Sequence, residues 1–294
     1  MKALITGANG QLGWELQRTR PDDWDIVALS RTELDITDST AVSSAINKHQ
    51  PDLVINTAAY TAVDKAESEK DKAYDVNAKG AANIAKEAVD SGVRLIHIST
   101  DFVFDGNKSQ PYLPADKPNP TCVYSASKLQ GEQDVISITN GKAMALRTSW
   151  VYSVHGKNFV KTMLKLMTER DGISVVADQI GIPTWAKKFA QAIWLIAAKK
   201  EMQGIWHWTN ADVASWYDFS KAIQEEAFEL GLLNKKIPIL PIQTKDYPTP
   251  AKRPSYSVLD STATWKALGY TAPHWRESLR MMLEELKKGL RTED

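Results

Sequence analysis

The sequence predicts an α/β protein, a Rossmann-type doubly wound parallel sheet with a smaller, interleaved mixed α/β lobe. Three observations predict it. Short runs rich in Val and Ile alternate with helical stretches through the first half, the pattern of parallel strands covered on both faces. A glycine-rich turn directly follows the first of these runs. Beyond Trp150 the order becomes irregular, but no low-complexity linker or internal repeat separates the halves. Residues 1–150 therefore read as a dinucleotide-binding domain. Residues 151–294 read mainly as a substrate-binding lobe, with some segments returning to the first domain.

The elements follow in order. Lys2 to Thr6 is a short apolar run stopped by Gly7, hence a buried strand. Asp25 to Ser30, Asp52 to Asn56 and Arg94 to Ser99 repeat the pattern, and Ala143 to Arg147 adds a further strand. Asp71 to Ser91 is the clearest early helix. Its apolar stripe runs Tyr74, Asn77, Ala81, Ile84 and Ala88 at steps of three and four, and Gly92 follows as a C-cap candidate. Asp105 to Pro120 is polar and proline-rich, hence a loop. A helix follows from about Val123 to Ile138. In the second half Asn158 to Arg170, Lys187 to Lys200, Trp216 to Leu230 and Arg276 to Leu290 read as helices. Pro238 to Pro254 carries five prolines and reads as extended.

Composition excludes several classes. Lys plus Arg and Asp plus Glu are 36 each, so no basic field exists for nucleic acid or an anionic membrane surface. The longest apolar run, Ala192 to Ala198, is far short of the roughly 20 residues of a membrane span. The N-terminal apolar run is too short for a signal peptide. A single cysteine, Cys122, precludes an internal disulfide framework and fits a reducing compartment. A soluble cytoplasmic protein is expected. Five scattered histidines and one cysteine give no metal-ligand spacing, so no metal is expected.

The chemistry-bearing residues begin with Gly7, Gly10 and Gly13. In a strand–turn–helix context such glycines let backbone approach a diphosphate, and the helix N-terminus offers it free N–H groups. The spacing is G-x-x-G-x-x-G rather than G-x-G-x-x-G. The second strand ends Leu29-Ser30-Arg31, with the acids Glu33 and Asp35 slightly later. A hydroxyl and a guanidinium there suit the 2′-phosphate of NADPH, while the lack of a repelling acid at the strand end leaves NADH usable. Tyr124 and Lys128, four apart, share a helix face. A nearby ammonium lowers a phenol's pKa, so the pair can shuttle a proton to a carbonyl oxygen. Thr100 and Asp101 close a strand at the sheet's ligand-binding end, where turn and capping residues also occur. Asn77 fits a satisfied buried amide as well as it fits a functional role. Trp150, after the Arg147-Thr148-Ser149 strand end, could cover a sugar or base. Arg253, held between prolines, could pair with a diphosphate.

Together Thr6-Gly7-Ala8-Asn9-Gly10-Gln11-Leu12-Gly13 and Tyr124-x-x-x-Lys128 resemble the extended short-chain dehydrogenase/reductases. The stretches 56–67, 99–106, Arg147-Thr148-Ser149-Trp150-Val151-Tyr152, Asp178-Gln179 with Pro183-Thr184, and 248–254 resemble specifically the dTDP-4-dehydrorhamnose reductase family. That resemblance implies NADPH-dependent reduction of the 4-keto group of dTDP-4-dehydro-L-rhamnose, the last step of dTDP-rhamnose biosynthesis. It makes Tyr124 the proton donor and Lys128 the residue that lowers its pKa and holds the nicotinamide ribose. It places Thr100, Asp101, Val63 and Trp150 at the sugar. It places Gly10, Gln11, Leu12, Asp35, Ile36, Ala58, Ala59 and Tyr60 at the cofactor. Two departures stand out. Phe102 replaces a frequent tyrosine. Lys187 stands where some family members have a carboxylate that, with Glu15, holds a magnesium ion between subunits, so a monomer or weak homodimer is expected. Alternatives are another nucleotide-sugar reductase or epimerase, or a non-catalytic subunit resembling the regulatory subunit of methionine adenosyltransferase. An intact Tyr124, Lys128, Thr100 and Asp101 set argues for the enzyme.

Overall fold

The structure, a computed structural model, describes residues 1–291. Five strands from the first half, β1 (Lys2–Thr6), β2 (Asp25–Leu29), β3 (Leu53–Asn56), β4 (Arg94–Thr100) and β5 (Met144–Thr148), form a parallel sheet with a sixth, Gly204–His207. From one edge the order is Gly204–His207, β5, β4, β3, β1, β2. Connections run outward in opposite directions from β1 and β3, so a crevice opens between their carboxyl ends.

The strands read as continuous apolar runs because both faces are covered. Ala3, Ile5, Leu53, Ile55 and Leu146 face one core with the helices Gln11–Arg18 and Ala186–Ala197. Leu4, Val54 and Leu95, one residue out of phase, face the other core with Val42, Ile46, Ile84 and Ala88.

The stretch expected as one helix over 71–91 is broken. An α-turn at Lys70–Tyr74 and a helix at Gly80–Asp90 flank a π-helical turn, Asp75–Lys79. The wider turn shifts the helix phase. Asn77, Ala81, Ile84 and Ala88 are buried as read, whereas Tyr74 is 40% exposed. The turn presses against the helix Val123–Ile138 at Gly131, where a Cβ would lie 1.9 Å from the Asn77 carbonyl oxygen.

The second half contributes to both lobes. Helix Ala186–Ala197 and strand Gly204–His207 join the main sheet and its core. Helices Phe159–Glu169, Trp216–Glu229 and Trp275–Arg291 enclose a separate core around Tyr152, Phe219, Ile223 and Leu279. The proline-rich segment is extended at Ile239–Ile242, which pairs with Ile173–Val176, but then turns through a 3₁₀ helix at Thr244–Asp246. Among the described residues no helix is long and apolar enough to cross a membrane.

Candidate active site

The site opens at the crevice. Gly7 has φ +71°, and a Cβ there would lie 2.8 Å from the Ala58 nitrogen. The loops after β1 and β3 therefore touch backbone to backbone. Thr57 Oγ1 locks them by donating to the Thr6 carbonyl at 2.6 Å. Gly13 packs under the turn, where a Cβ would lie 2.3 Å from the Gly7 oxygen. Gly10 caps the helix Gln11–Arg18 without any side-chain bond, so its cap leaves the first N–H groups of the helix free for a ligand. That is a cradle for an anion.

A cleft of about 600 Å³ extends from this cradle. Gly7, Gly10, Gln11 and Leu12 line it at one end, with Arg31, Asp35 and Ile36 beside them. Ala58, Ala59 and Tyr60 form a side wall. Thr100, Asp101, Tyr124, Lys128 and Trp150 stand at the other end. The Asn77 amide holds the wall to the Tyr124 helix. Its Oδ1 accepts from Tyr60 N at 2.8 Å, and its Nδ2 donates to Ser127 Oγ at 3.0 Å. The buried-amide reading of Asn77 therefore describes its geometry. Sequence reasoning missed Leu34, Thr57, Val76 and Ser149, which also line the cleft. Apart from hydroxyls at strand ends, nothing in their residue types marks them.

Ser30 does not line the cleft. Its Oγ donates to Glu33 Oε2 at 2.6 Å, and its backbone N–H donates to the same oxygen at 2.8 Å. The turn folds back on itself and brings an acid to the strand end after all. Arg31 remains on the cleft wall, exposed, with its guanidinium 4.0 Å from Asp35.

Tyr124 and Lys128 project from the helix Val123–Ile138 as their spacing requires. The expected coupling between them is not what dominates. Lys128 Nζ donates to the Ile98 carbonyl at 2.7 Å, and burial lowers the lysine pKa to about 8. The phenol of Tyr124 is pushed well above its ordinary value, chiefly by burial. A bond to Thr100 pulls it down, and the negative charge of Asp101 raises it further. The phenol is thus held protonated. Phe102 meets its ring edge-on at 6.0 Å.

Asp101 is 2% exposed, and Thr100 Oγ1 donates to its Oδ1 at 3.1 Å. Burial raises its pKa to about 7, against opposing hydrogen bonds from Ser257 and Thr100. A carboxyl with a raised folded pKa costs nothing below its unfolded value near 3.9. It then costs progressively more stability as pH rises toward 7. The Asp101→Asn variant should therefore gain stability relative to wild type as pH climbs from 4 to about 7, with a flat difference above. Urea melts across that range test this, and a pH-independent difference would contradict it.

Trp150 sits at φ +44°, an unusual conformation for a bulky residue. Its indole stacks on Trp216 at 3.5 Å, nearly parallel. Gly181 makes room for it, since a Cβ there would lie 2.5 Å from the indole. Trp216, unmarked in the sequence among ten tryptophans, lines a second cavity of about 520 Å³. The tryptophan pair thus stands between the two cavities. Arg253 lines the second cavity with Met163, Leu166, Val175 and Tyr247, not the cleft at the glycine turn. Val63 lines neither cavity and begins the short helix Val63–Ala66.

Lys187 Nζ pairs with Glu285 at 2.6 Å, and Arg18 pairs with the same carboxylate at 2.5 Å. Glu15 is fully buried and accepts from Ser153 Oγ at 2.7 Å. Among the described residues no group of three or more His, Cys, Asp or Glu side chains could hold a metal ion.

With this geometry in place, comparison with known proteins decides the family. The family model described as RmlD substrate binding domain matches residues 1–288. A dTDP-4-dehydrorhamnose reductase of Aggregatibacter actinomycetemcomitans is 43% identical over 286 residues, covering 95% of this chain and 97% of the relative. The chain belongs to the dTDP-4-dehydrorhamnose reductase family. Another relative, the spore coat polysaccharide biosynthesis protein SpsK of Bacillus subtilis, is 42% identical over 97% of both chains. A solved dTDP-4-dehydrorhamnose reductase of Bacillus anthracis, in complex with NADP, superposes with a TM-score of 0.90. It is 40% identical and covers 97% of this chain and 99% of that one. The Rossmann-type sheet is therefore that of a reductase family.

Proposed function

We propose that this protein reduces the 4-keto group of dTDP-4-dehydro-L-rhamnose to give dTDP-L-rhamnose, with NADPH as reductant. One observation carries the reading. The Tyr124 phenol, with Thr100 and Asp101 beside it, shares a cleft with a glycine-lined helix N-terminus. The family relationship supports it.

The glycine turn and the free end of helix Gln11–Arg18 fit a dinucleotide diphosphate. Bound there, the nicotinamide supplies the hydride that reduces the carbonyl carbon. Tyr124 Oη gives its proton to the carbonyl oxygen, completing the alcohol. Thr100 Oγ1, itself held by Asp101 and the Phe102 N–H, stands beside the phenol in the cleft. Lys128, anchored on Ile98, places a cation behind the phenolate that forms. Trp150 offers a flat wall to the sugar. The second cavity, with Arg253 at its edge, takes the nucleoside diphosphate. No step uses a metal. A monomer or weak homodimer in the cytoplasm completes the reading. A non-catalytic subunit would have no use for Tyr124, Lys128, Thr100 and Asp101 gathered in one cleft with the glycine turn. The carrying test follows reduced-nicotinamide absorbance with purified protein, NADPH and dTDP-4-dehydrorhamnose. No substrate-dependent oxidation would overturn the proposal.

Cofactor preference rests on Arg31 alone, since the Ser30 hydroxyl is committed to Glu33. A charge-assisted hydrogen bond to a 2′-phosphate contributes about 1.5–3 kcal/mol, less at so exposed a site. Arg31→Ala should therefore lower kcat/KM with NADPH about tenfold and leave NADH nearly unaffected. An equal effect on both cofactors would refute the role.

A further inference from the structure

We propose that Asp64 is a positioning residue that holds Arg253 across the two lobes for the diphosphate of the nucleotide sugar; this rests on the function proposed above. Asp64 Oδ2 takes Arg253 Nη2 at 2.8 Å, and its Oδ1 accepts from the Ala251 backbone N–H at 3.3 Å. Asp64 therefore grips both the guanidinium and the chain that carries it. It lies two residues past Ala62, which lines the cofactor cleft, whereas Arg253 lines the second cavity. The pair thus ties the chain just past the cofactor cleft to the wall of the second cavity.

The segment bearing Arg253 is pinned elsewhere too. Asp178 accepts from Thr244 N at 2.8 Å and from Thr244 Oγ1 at 2.6 Å. Pro254 packs on Gly106, where a Cβ would lie 2.9 Å from the proline ring. Arg253 has little freedom left to lose on binding.

The orientation of the guanidinium completes the argument. Asp64 uses Nη2 only. Nη1 is buried and has no hydrogen-bond partner. A buried charged donor without a partner is unfavourable, and an anion beside it removes that cost. A guanidinium presents a fork of donors, so one side can be anchored while the other meets a phosphoryl oxygen.

The alternative is that Asp64 merely competes with the diphosphate for Arg253. The two ideas predict opposite signs. Calorimetric titration of the full-length protein with dTDP, with thymidine and with NADPH separates them. Wild type should bind dTDP more tightly than thymidine, and Arg253→Ala should erase that difference. If wild type shows no such difference, the diphosphate reading itself fails. If the difference is present, Asp64→Asn should weaken dTDP about tenfold. Thymidine and NADPH should then change by less than about twofold, and Asp64→Glu should restore part of the loss. Unchanged or tighter dTDP binding in Asp64→Asn would overturn the positioning role. Equal weakening of all three ligands would also overturn it, by making the pair a general lobe contact.

Discussion

Tyr124→Phe should fold normally, bind NADPH as wild type does, and turn over the keto sugar about 10²- to 10⁴-fold more slowly. The substitution removes one oxygen and keeps the ring that meets Phe102 edge-on. The hydride can still be delivered, but the alkoxide it creates has lost the proton poised for it. Because the phenol is held protonated in the folded protein, the donating form should dominate across the neutral range. Steady-state kinetics with NADPH affinity as the control decides the matter. Unchanged turnover would exclude Tyr124 as the acid.

A nucleotide-linked keto sugar should be reduced far more efficiently than the same sugar free in solution, by roughly a hundredfold or more in kcat/KM. The expectation comes from the second cavity. Its Arg253, its apolar wall of Met163, Leu166 and Val175, and Trp216 line a cavity other than the cleft that holds Tyr124. Binding there touches nothing that reacts. It holds the sugar in register for hydride and proton transfer, which is where remote binding energy is useful. Comparable kcat/KM for the two sugars at equal concentration would sink the nucleotide-sugar assignment even if the protein reduces both.

What was legible in the sequence is what local periodicity and backbone chemistry dictate. The helix Val123–Ile138 and the strands at Lys2, Asp25, Leu53 and Arg94 come from apolar spacing and glycine stops, so their bounds fall within a residue or two of the structure. The Gly7–Gly13 turn and Tyr124–Lys128 come from chemistry that few other residues can supply. The remainder depends on contacts distant in sequence. Gly204–His207 is too short and too ordinary to announce itself, and becomes a strand because β5 offers it an edge. The π-turn at Asp75 answers to the close approach of Gly131, which no local pattern encodes. Ser30 looked free because its competitor, Glu33, reaches it only through the fold of the turn. The partners of Arg253 and Trp150 lie 189 and 66 residues away in the chain.

Strand Gly204–His207 has a consequence for how this chain comes into being. It finishes a sheet begun two hundred residues earlier, and helix Ala186–Ala197 roofs one face of that sheet. A nascent chain that has released only its first 150 residues from the ribosome carries the glycine cradle and Tyr124 but has an open β5 edge and a sheet face that helix Gln11–Arg18 covers only in part. Such a fragment presents unpaired strand backbone to any neighbour, the usual seed of aggregation. The dinucleotide cradle is therefore encoded early but secured only some two hundred residues into the chain, before helices Trp216–Glu229 and Trp275–Arg291 of the outer lobe have been made.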